Sequence, residues 1–224
     1  MTTVLGLPLL ALGIAAVGYS FTMPTIPGVY AGFLGALAIW GWIELAFLTG
    51  VITGPERNPC PPGLSGWARF SRAWGAVAYH EIALALGMIG LLVAASGSEN
   101  QTAVWTYLIL FSARISAKLN LFFGVPRINL EFIPARLDHL KSYFRRGPIT
   151  VVFPVSITLL SFAVACFAQQ MIVAKTPALD MQFNLLTALA ALALLEHWLM
   201  VLPLPDARLW RWMLPAAKRL PDPK

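Results

Sequence analysis

Six long apolar stretches alternate with short polar segments along the chain, covering about 4–20, 29–48, 73–95, 102–124, 149–171 and 183–202. Each stretch is close to the roughly 20 residues that a helix needs to cross the hydrocarbon core of a bilayer. The strict apolar–polar alternation of a membrane β-barrel is absent from them. The pattern therefore predicts an all-α fold: a polytopic helical bundle with about six transmembrane helices, forming one domain over residues 1–224.

Composition excludes several classes of protein. Apolar residues make up 58% of the chain, charged residues 12%, and the mean hydropathy is +0.71. Soluble domains carry about 25% charged residues. The net charge of +6 is spread over too few basic residues to form a surface that follows nucleic-acid phosphates. We therefore expect a lipid bilayer as partner and no nucleic acid.

The basic residues predict the orientation. They are concentrated after the second, fourth and sixth stretches, whereas the other loops hold only Lys175. Short loops rich in Lys and Arg stay in the cytoplasm. This bias predicts that both termini are cytoplasmic; it rests on Arg57, Arg69, Arg72, Arg127, Arg136, Lys141, Arg145, Arg146, Arg208, Arg211, Lys218, Arg219 and Lys224.

Two segments outside the stretches have the pattern of short interfacial helices. The first lies near 134–146, where Pro134 suits a helix start and Leu137, Leu140 and Phe144 recur at helical spacing. The second lies near 206–214, where Trp210 and other apolar residues alternate with arginines. Both are expected to lie on the inner leaflet.

Ionisable residues inside the stretches are the main candidates for function, because charge is costly in a bilayer. Their positions along alternating helices predict a single layer in the inner half of the membrane. Asn120 shares a stripe of the fourth helix with Ser112 and Ser116, so polar or small residues cover most of that helix and predict a central position. The candidate polar cluster is Glu44, His80, Glu81, Arg114, Lys118, Asn120, Glu196 and His197.

Three interpretations of this layer remain open. It can be a packing network in which three carboxylates face two basic side chains, with a proton or a charged histidine completing neutrality. It can hold iron, with Glu44, His80, Glu81, Glu196 and His197 as ligands, although adjacent Glu–His pairs diverge by about 100° on a helix. Finally, His80 or His197 can be an axial ligand of a tetrapyrrole such as bacteriochlorophyll or a precursor.

Five strings in the chain form a recognisable set: 42–50 (WIELAFLTG), 79–85 (YHEIALA), 116–124 (SAKLNLFFG), 140–145 (LKSYFR) and 196–203 (EHWLMVLP). Together they resemble the photosynthetic complex assembly protein 2 family of anoxygenic phototrophic bacteria. The similarity extends over about 29–212 and includes nearly all of the intramembrane ionisable residues.

The resemblance implies a role in the bacterial inner membrane, cytoplasmic or intracytoplasmic. We expect a non-enzymatic accessory protein for assembly of the photosynthetic apparatus or for bacteriochlorophyll supply. Its partners would then be reaction-centre or light-harvesting proteins, or enzymes of bacteriochlorophyll synthesis. The alternative is a membrane-bound di-iron-type oxidase or hydroxylase acting on a tetrapyrrole precursor. A transporter is a third option, although the chain shows no inverted repeat.

Overall fold

The computed structural model describes residues 2–203, and this part of the chain is helical without β-strands. The predicted all-α fold is confirmed. The α-helices are α1 (Thr2–Leu5), α2 (Leu7–Thr22), α3 (Ile26–Leu48), α4 (Gly66–Ala94), α5 (Thr102–Phe123), α6 (Val152–Ile172) and α7 (Pro177–Leu199), with two 3₁₀ helices at Leu130–Phe132 and Ala135–Tyr143.

Five helical segments are long and apolar enough to cross a membrane: Thr2–Thr22, α3, α4, α6 and α7. This is the architecture of a multi-pass membrane protein. Helix α5, the fourth predicted span, has 22 residues and is long enough, but Arg114, Lys118 and Asn120 lower its hydropathy. A sixth span at α5 and two cytoplasmic termini remain predictions.

The long helices run alternately up and down, so that loops gather at two ends. At one end Ser98 Oγ donates to the carbonyl of Phe21, at 2.8 Å. Two helices begin at this end with a threonine cap and a proline in the first turn: Thr25 accepts from the backbone of Gly28, and Thr176 from that of Leu179. The other end carries the basic loops after α3 and α5, and we call it the basic end.

Helix α5 occupies the centre of the bundle, as predicted. It packs against α2, α3, α4, α6 and α7. Tyr107, in the half of α5 farther from the basic end, is fully buried, packs edge-on against Trp40, and donates to the carbonyl of Leu84 at 3.1 Å. A helix that touches five others turns much of its surface toward protein, which explains why its sequence tolerates charged residues.

The predicted interfacial helix near 134–146 consists of two short 3₁₀ segments within Ala135–Tyr143, joined by a kink at Leu137, whose φ of −109° and ψ of 15° are not helical. Leu137 at the kink and Leu140 and Tyr143 in the 3₁₀ turns after it share one buried face, which packs against Phe47 and Ala76. An α-helical period predicts that Phe144 is the third apolar contact, after Leu137 and Leu140. That expectation is corrected: Tyr143 is buried and Phe144 lies at the edge of the cluster.

The predicted interfacial helix at 206–214 lies outside the described residues.

The loop after α3 packs closely against α4. The carbonyl of Thr53 accepts the backbone N–H of His80 at 3.1 Å, and Thr53 is 3% exposed. The next residue, Gly54, is also buried, and a Cβ atom there would lie 2.0 Å from the carbonyl oxygen of Gly75. Only a residue without a side chain allows this approach, so the loop is fixed at the level of His80.

We predict that Gly54→Ala destabilises the protein by about 1–3 kcal/mol, because the added methyl group meets backbone that cannot rotate away. Equilibrium unfolding of the purified protein in detergent, followed by circular dichroism, measures the effect. Gly147→Ala is the matched control, since nothing lies within 4 Å of a Cβ at that loop position. Equal stability of the two variants would contradict the close packing of the loop on α4.

Candidate functional site

Five ionisable side chains from three helices meet in the half of the bundle nearer the basic end. Glu44 of α3 binds Arg114 of α5, with 2.9 Å between Oε2 and Nη2. On α4, Glu81 binds the ammonium of Lys118 through Oε1. We call Glu44, His80, Glu81, Arg114 and Lys118 the charge cluster; its two ion pairs join α3 and α4 to α5.

His80 connects the two ion pairs. Its ring is fully buried, with Nδ1 lying 3.1 Å from Lys118 Nζ and 3.4 Å from Glu81 Oε1. An ammonium has only donors, so Nδ1 accepts from Lys118 and the ring proton is on Nε2. That proton faces Glu44 Oε1 across 3.5 Å, a distance typical of electrostatic attraction rather than of a short hydrogen bond.

The charge cluster is neutral when its carboxylates are ionised, because two carboxylates face two cations and His80 is uncharged. The sequence predicted three carboxylates, but Glu196 is exposed on α7 and makes no ion pair among the described residues. The expected surplus negative charge, and the proton needed to balance it, therefore do not arise. A neutral network is the arrangement that best tolerates burial in an apolar medium.

Two contacts of the charge cluster were not predicted from the sequence. The centroid of the Phe47 ring lies 4.2 Å from the centroid of the His80 ring and 5.4 Å from Lys118 Nζ. Phe47 is three residues after Glu44, so helical spacing places both on the same side of α3. The carbonyl of Thr53 could not be anticipated, because its position depends on how the loop folds.

A second polar group lies on the opposite side of α5. Ser116 Oγ is 2.6 Å from His197 Nε2, and His197 Nδ1 is 2.8 Å from the carbonyl oxygen of Ala193. A carbonyl can only accept, so Nδ1 carries the proton and Nε2 is the acceptor. Ser116 Oγ also lies 3.1 Å from the carbonyl oxygen of Ala113, and the shorter contact assigns its single hydroxyl proton to His197 Nε2. This bond joins α5 to α7 and leaves both ring nitrogens of His197 occupied.

Asn120 joins α5 to α6. Its Nδ2 donates to the carbonyl of Ser116 and to Ser156 Oγ, each at 2.9 Å. The sequence selected Asn120 but not Ser156, which is 5% exposed. Ser156 Oγ donates to the carbonyl of Val152 in its own helix, which satisfies the hydroxyl locally. Nothing in the sequence therefore marks Ser156 as a partner of Asn120.

The five candidate metal ligands are not brought together. Glu44, His80 and Glu81 belong to the charge cluster, His197 binds Ser116, and Glu196 is exposed. Within residues 2–203, no group of three or more His, Cys, Asp or Glu side chains is arranged to hold a metal ion. Both candidate axial ligands, His80 and His197, are fully buried among protein groups.

Two cavities lie beside α5, on either side of the apolar strip that separates its two polar sides. The first, of about 400 Å³, lies between α4, α5 and the second 3₁₀ helix, and we call it the α4–α5 cavity. The second, of about 680 Å³, lies between α5 and α6, and we call it the α5–α6 cavity. Phe111, Ile115 and Leu119 border both. Glu81, Arg114 and Lys118 reach the wall of the α4–α5 cavity only.

Comparison with known proteins identifies a family and a relative of this chain. The family model described as "Protein of unknown function (DUF3623)" matches residues 1–220. A Rhodobacter capsulatus protein, described as an uncharacterized 30.4 kDa protein in the puhA 5′ region, is 50% identical over 213 residues, covering 95% of this chain and 78% of the relative. The relative is thus linked to a photosynthesis gene cluster. No solved structure matches the chain.

We predict that Lys118→Ala destabilises the bundle by about 3–5 kcal/mol, because it leaves the Glu81 carboxylate buried without its cation. Unfolding in detergent, followed by circular dichroism, measures the loss. Lys141→Ala is the control, since Lys141 pairs with Asp138 at the surface, where such a pair contributes about 0–1 kcal/mol.

A double variant distinguishes a lost charge pair from a lost side chain. In Glu81→Gln with Lys118→Met both charges are removed, and most of the stability should return. If Lys118→Ala unfolds like the parent, or if the double variant is as unstable as the single one, the pairing scheme is wrong.

We also predict that Ser116→Ala costs about 1–3 kcal/mol, because the fully buried His197 Nε2 loses its donor. The same unfolding measurement applies. Ser71→Ala is the matched control: Ser71 also bonds a carbonyl of its own helix, but it is exposed. A stability loss no greater than that of Ser71→Ala would show that the α5–α7 contact does not depend on this bond.

Proposed function

This chain belongs to the DUF3623 family, and from that membership we propose that it is an accessory protein of the bacterial inner membrane that supports assembly of the photosynthetic apparatus or supplies it with bacteriochlorophyll. The observation that carries the proposal is the 50% identity, over 95% of the chain, to a protein encoded beside puhA. The resemblance to the photosynthetic complex assembly protein 2 family, based on strings such as 116–124, supports the same role.

The geometry supports a binding role rather than catalysis. The polar groups of the charge cluster, and the Ser116–His197 and Asn120–Ser156 contacts, are mainly directed at one another. Groups held in mutual pairs fix the positions of helices. The α4–α5 and α5–α6 cavities, in contrast, have mostly apolar walls, which suit hydrophobic pigments or the helices of membrane proteins.

The oxidase or hydroxylase alternative requires the five Glu and His candidates to share a metal, and they are divided among three places. The accessory role requires no such site.

The proposed orientation has the basic end in the cytoplasm. Arg69, Arg136 and Lys141 lie in or near the loops of that end, opposite Lys175. Cytoplasmic leaflets carry anionic lipids that attract such segments. The 3₁₀ helix at Ala135–Tyr143 would then face the compartment where soluble enzymes of pigment synthesis can reach it.

Complementation tests the proposal. A Rhodobacter capsulatus strain lacking the puhA-linked relative should form less, or altered, near-infrared-absorbing pigment–protein complex, and expression of this chain should restore the spectrum. Lys118→Ala should fail to restore it because the bundle is destabilised, whereas Lys141→Ala should succeed. Unchanged complexes in the deletion strain, or a stably inserted chain that restores nothing, would refute the accessory role.

A further inference from the structure

The α4–α5 cavity combines aromatic side chains on its wall with a charged patch. Side chains from α4, α5 and the second 3₁₀ helix surround it, among them Phe70, Trp74, Phe111, Phe122, Tyr143 and Phe144. Flat aromatic side chains stack well on flat conjugated ligands. At about 400 Å³ and partly open on one side, the cavity falls in the range of pockets that hold small organic molecules.

The charged patch offers hydrogen-bond donors to a ligand. Arg114 lines the cavity, its side chain is 32% exposed, and it uses Nη2 to bind Glu44. A guanidinium has five N–H donors, so several remain after that bond. Lys118 lines the same wall with a side chain 22% exposed. A carboxylate matches the planar fork of arginine and can be bound by two N–H groups at once.

The depth of Arg114 argues against a phospholipid as the occupant. Arg114 lies eight residues before Phe122 on α5, which is about 12 Å along the helix from the interfacial end of the cavity. A phospholipid keeps its phosphate at the membrane surface and places only acyl chains at this depth. An anionic group that reaches Arg114 must therefore belong to a molecule whose body is itself apolar and lies within the bilayer.

The α5–α6 cavity provides an internal comparison. It is larger, at about 680 Å³, and its polar lining consists of the hydroxyls of Ser112, Ser116 and Ser156, without a charged side chain. A cavity of that kind accommodates acyl or isoprenoid chains without distinguishing a carboxylate from its ester. Of the two, the α4–α5 cavity alone has the chemistry to select an acid.

We propose, building on the proposed function, that the α4–α5 cavity binds a tetrapyrrole with a free carboxylate. The macrocycle lies against the aromatic wall and the carboxylate contacts Arg114. Neither His80 nor His197 lines this cavity, so binding does not use an axial histidine, in contrast to the sequence-based hypothesis. The preferred ligand is the free acid, before its carboxylate is esterified with a long-chain alcohol.

The test uses the 224-residue chain in detergent micelles, titrated with pheophorbide a, a metal-free chlorin with one free carboxylate, and with its methyl ester. Induced circular dichroism of the chlorin reports binding. We expect the acid to bind at least tenfold more tightly than the ester. Equal affinity for the two would overturn the role of Arg114.

Variants locate the site. Ala85→Trp fills the α4–α5 cavity and should weaken binding at least tenfold, whereas Ala163→Trp fills the α5–α6 cavity and should leave it unchanged. The double variant Glu44→Gln with Arg114→Gln keeps the charge cluster neutral and should remove the preference for the acid. The opposite pattern, in which only Ala163→Trp weakens binding, would overturn the assignment.

Competition separates a pigment site from a lipid site. Phosphatidylglycerol added in excess should not displace the chlorin, and displacement would show that the cavity is a lipid site and overturn the proposal. Because this test uses purified protein, its failure contradicts the ligand assignment alone, whereas failure of the complementation experiment contradicts the accessory role.

Discussion

Neutralisation of charge inside the membrane is the constraint on which this structure depends. Glu44 and Glu81 cannot remain ionised in an apolar medium without close cations, and Arg114 and Lys118 supply them from the neighbouring helix. The requirement fixes the rotation and the height of α3, α4 and α5 relative to one another. His80 tightens the arrangement because one neutral ring contacts both pairs.

The geometry of α5 explains why it can serve several neighbours. Successive residues rotate by about 100°, so Ser116 lies about 200° from Arg114, on the far side of the helix. Arg114 and Lys118 therefore face α3 and α4, while Ser116 and Asn120 face α7 and α6. The apolar strip that includes Ile115 and Leu119 lies between these sides and borders both cavities.

Sequence periodicity was sufficient for the helices and for the common level of Glu44, His80, Glu81, Arg114 and Lys118, because both follow from hydrophobic length and helical spacing. It placed both Glu196 and His197 in the same cluster, although adjacent residues point in directions about 100° apart; His197 faces inward and binds Ser116, and Glu196 faces outward. It could not give the 3₁₀ turns within Ala135–Tyr143 or the contact of Thr53 with α4, which depend on packing between segments distant in sequence.

Hydrogen bonds and an ion pair hold together the helices around the α4–α5 cavity, so the cavity is a regular part of the fold rather than a result of loose packing. Lys118 binds Glu81 at one level. Nearer the basic end Arg69 of α4 donates to the carbonyls of Phe122 and Tyr143, at 3.2 and 2.6 Å, and its guanidinium lies 4.1 Å from the centroid of the Phe122 ring. Helices tied together at two heights cannot slide to close the space between them, so a space of this shape persists and is available to a ligand.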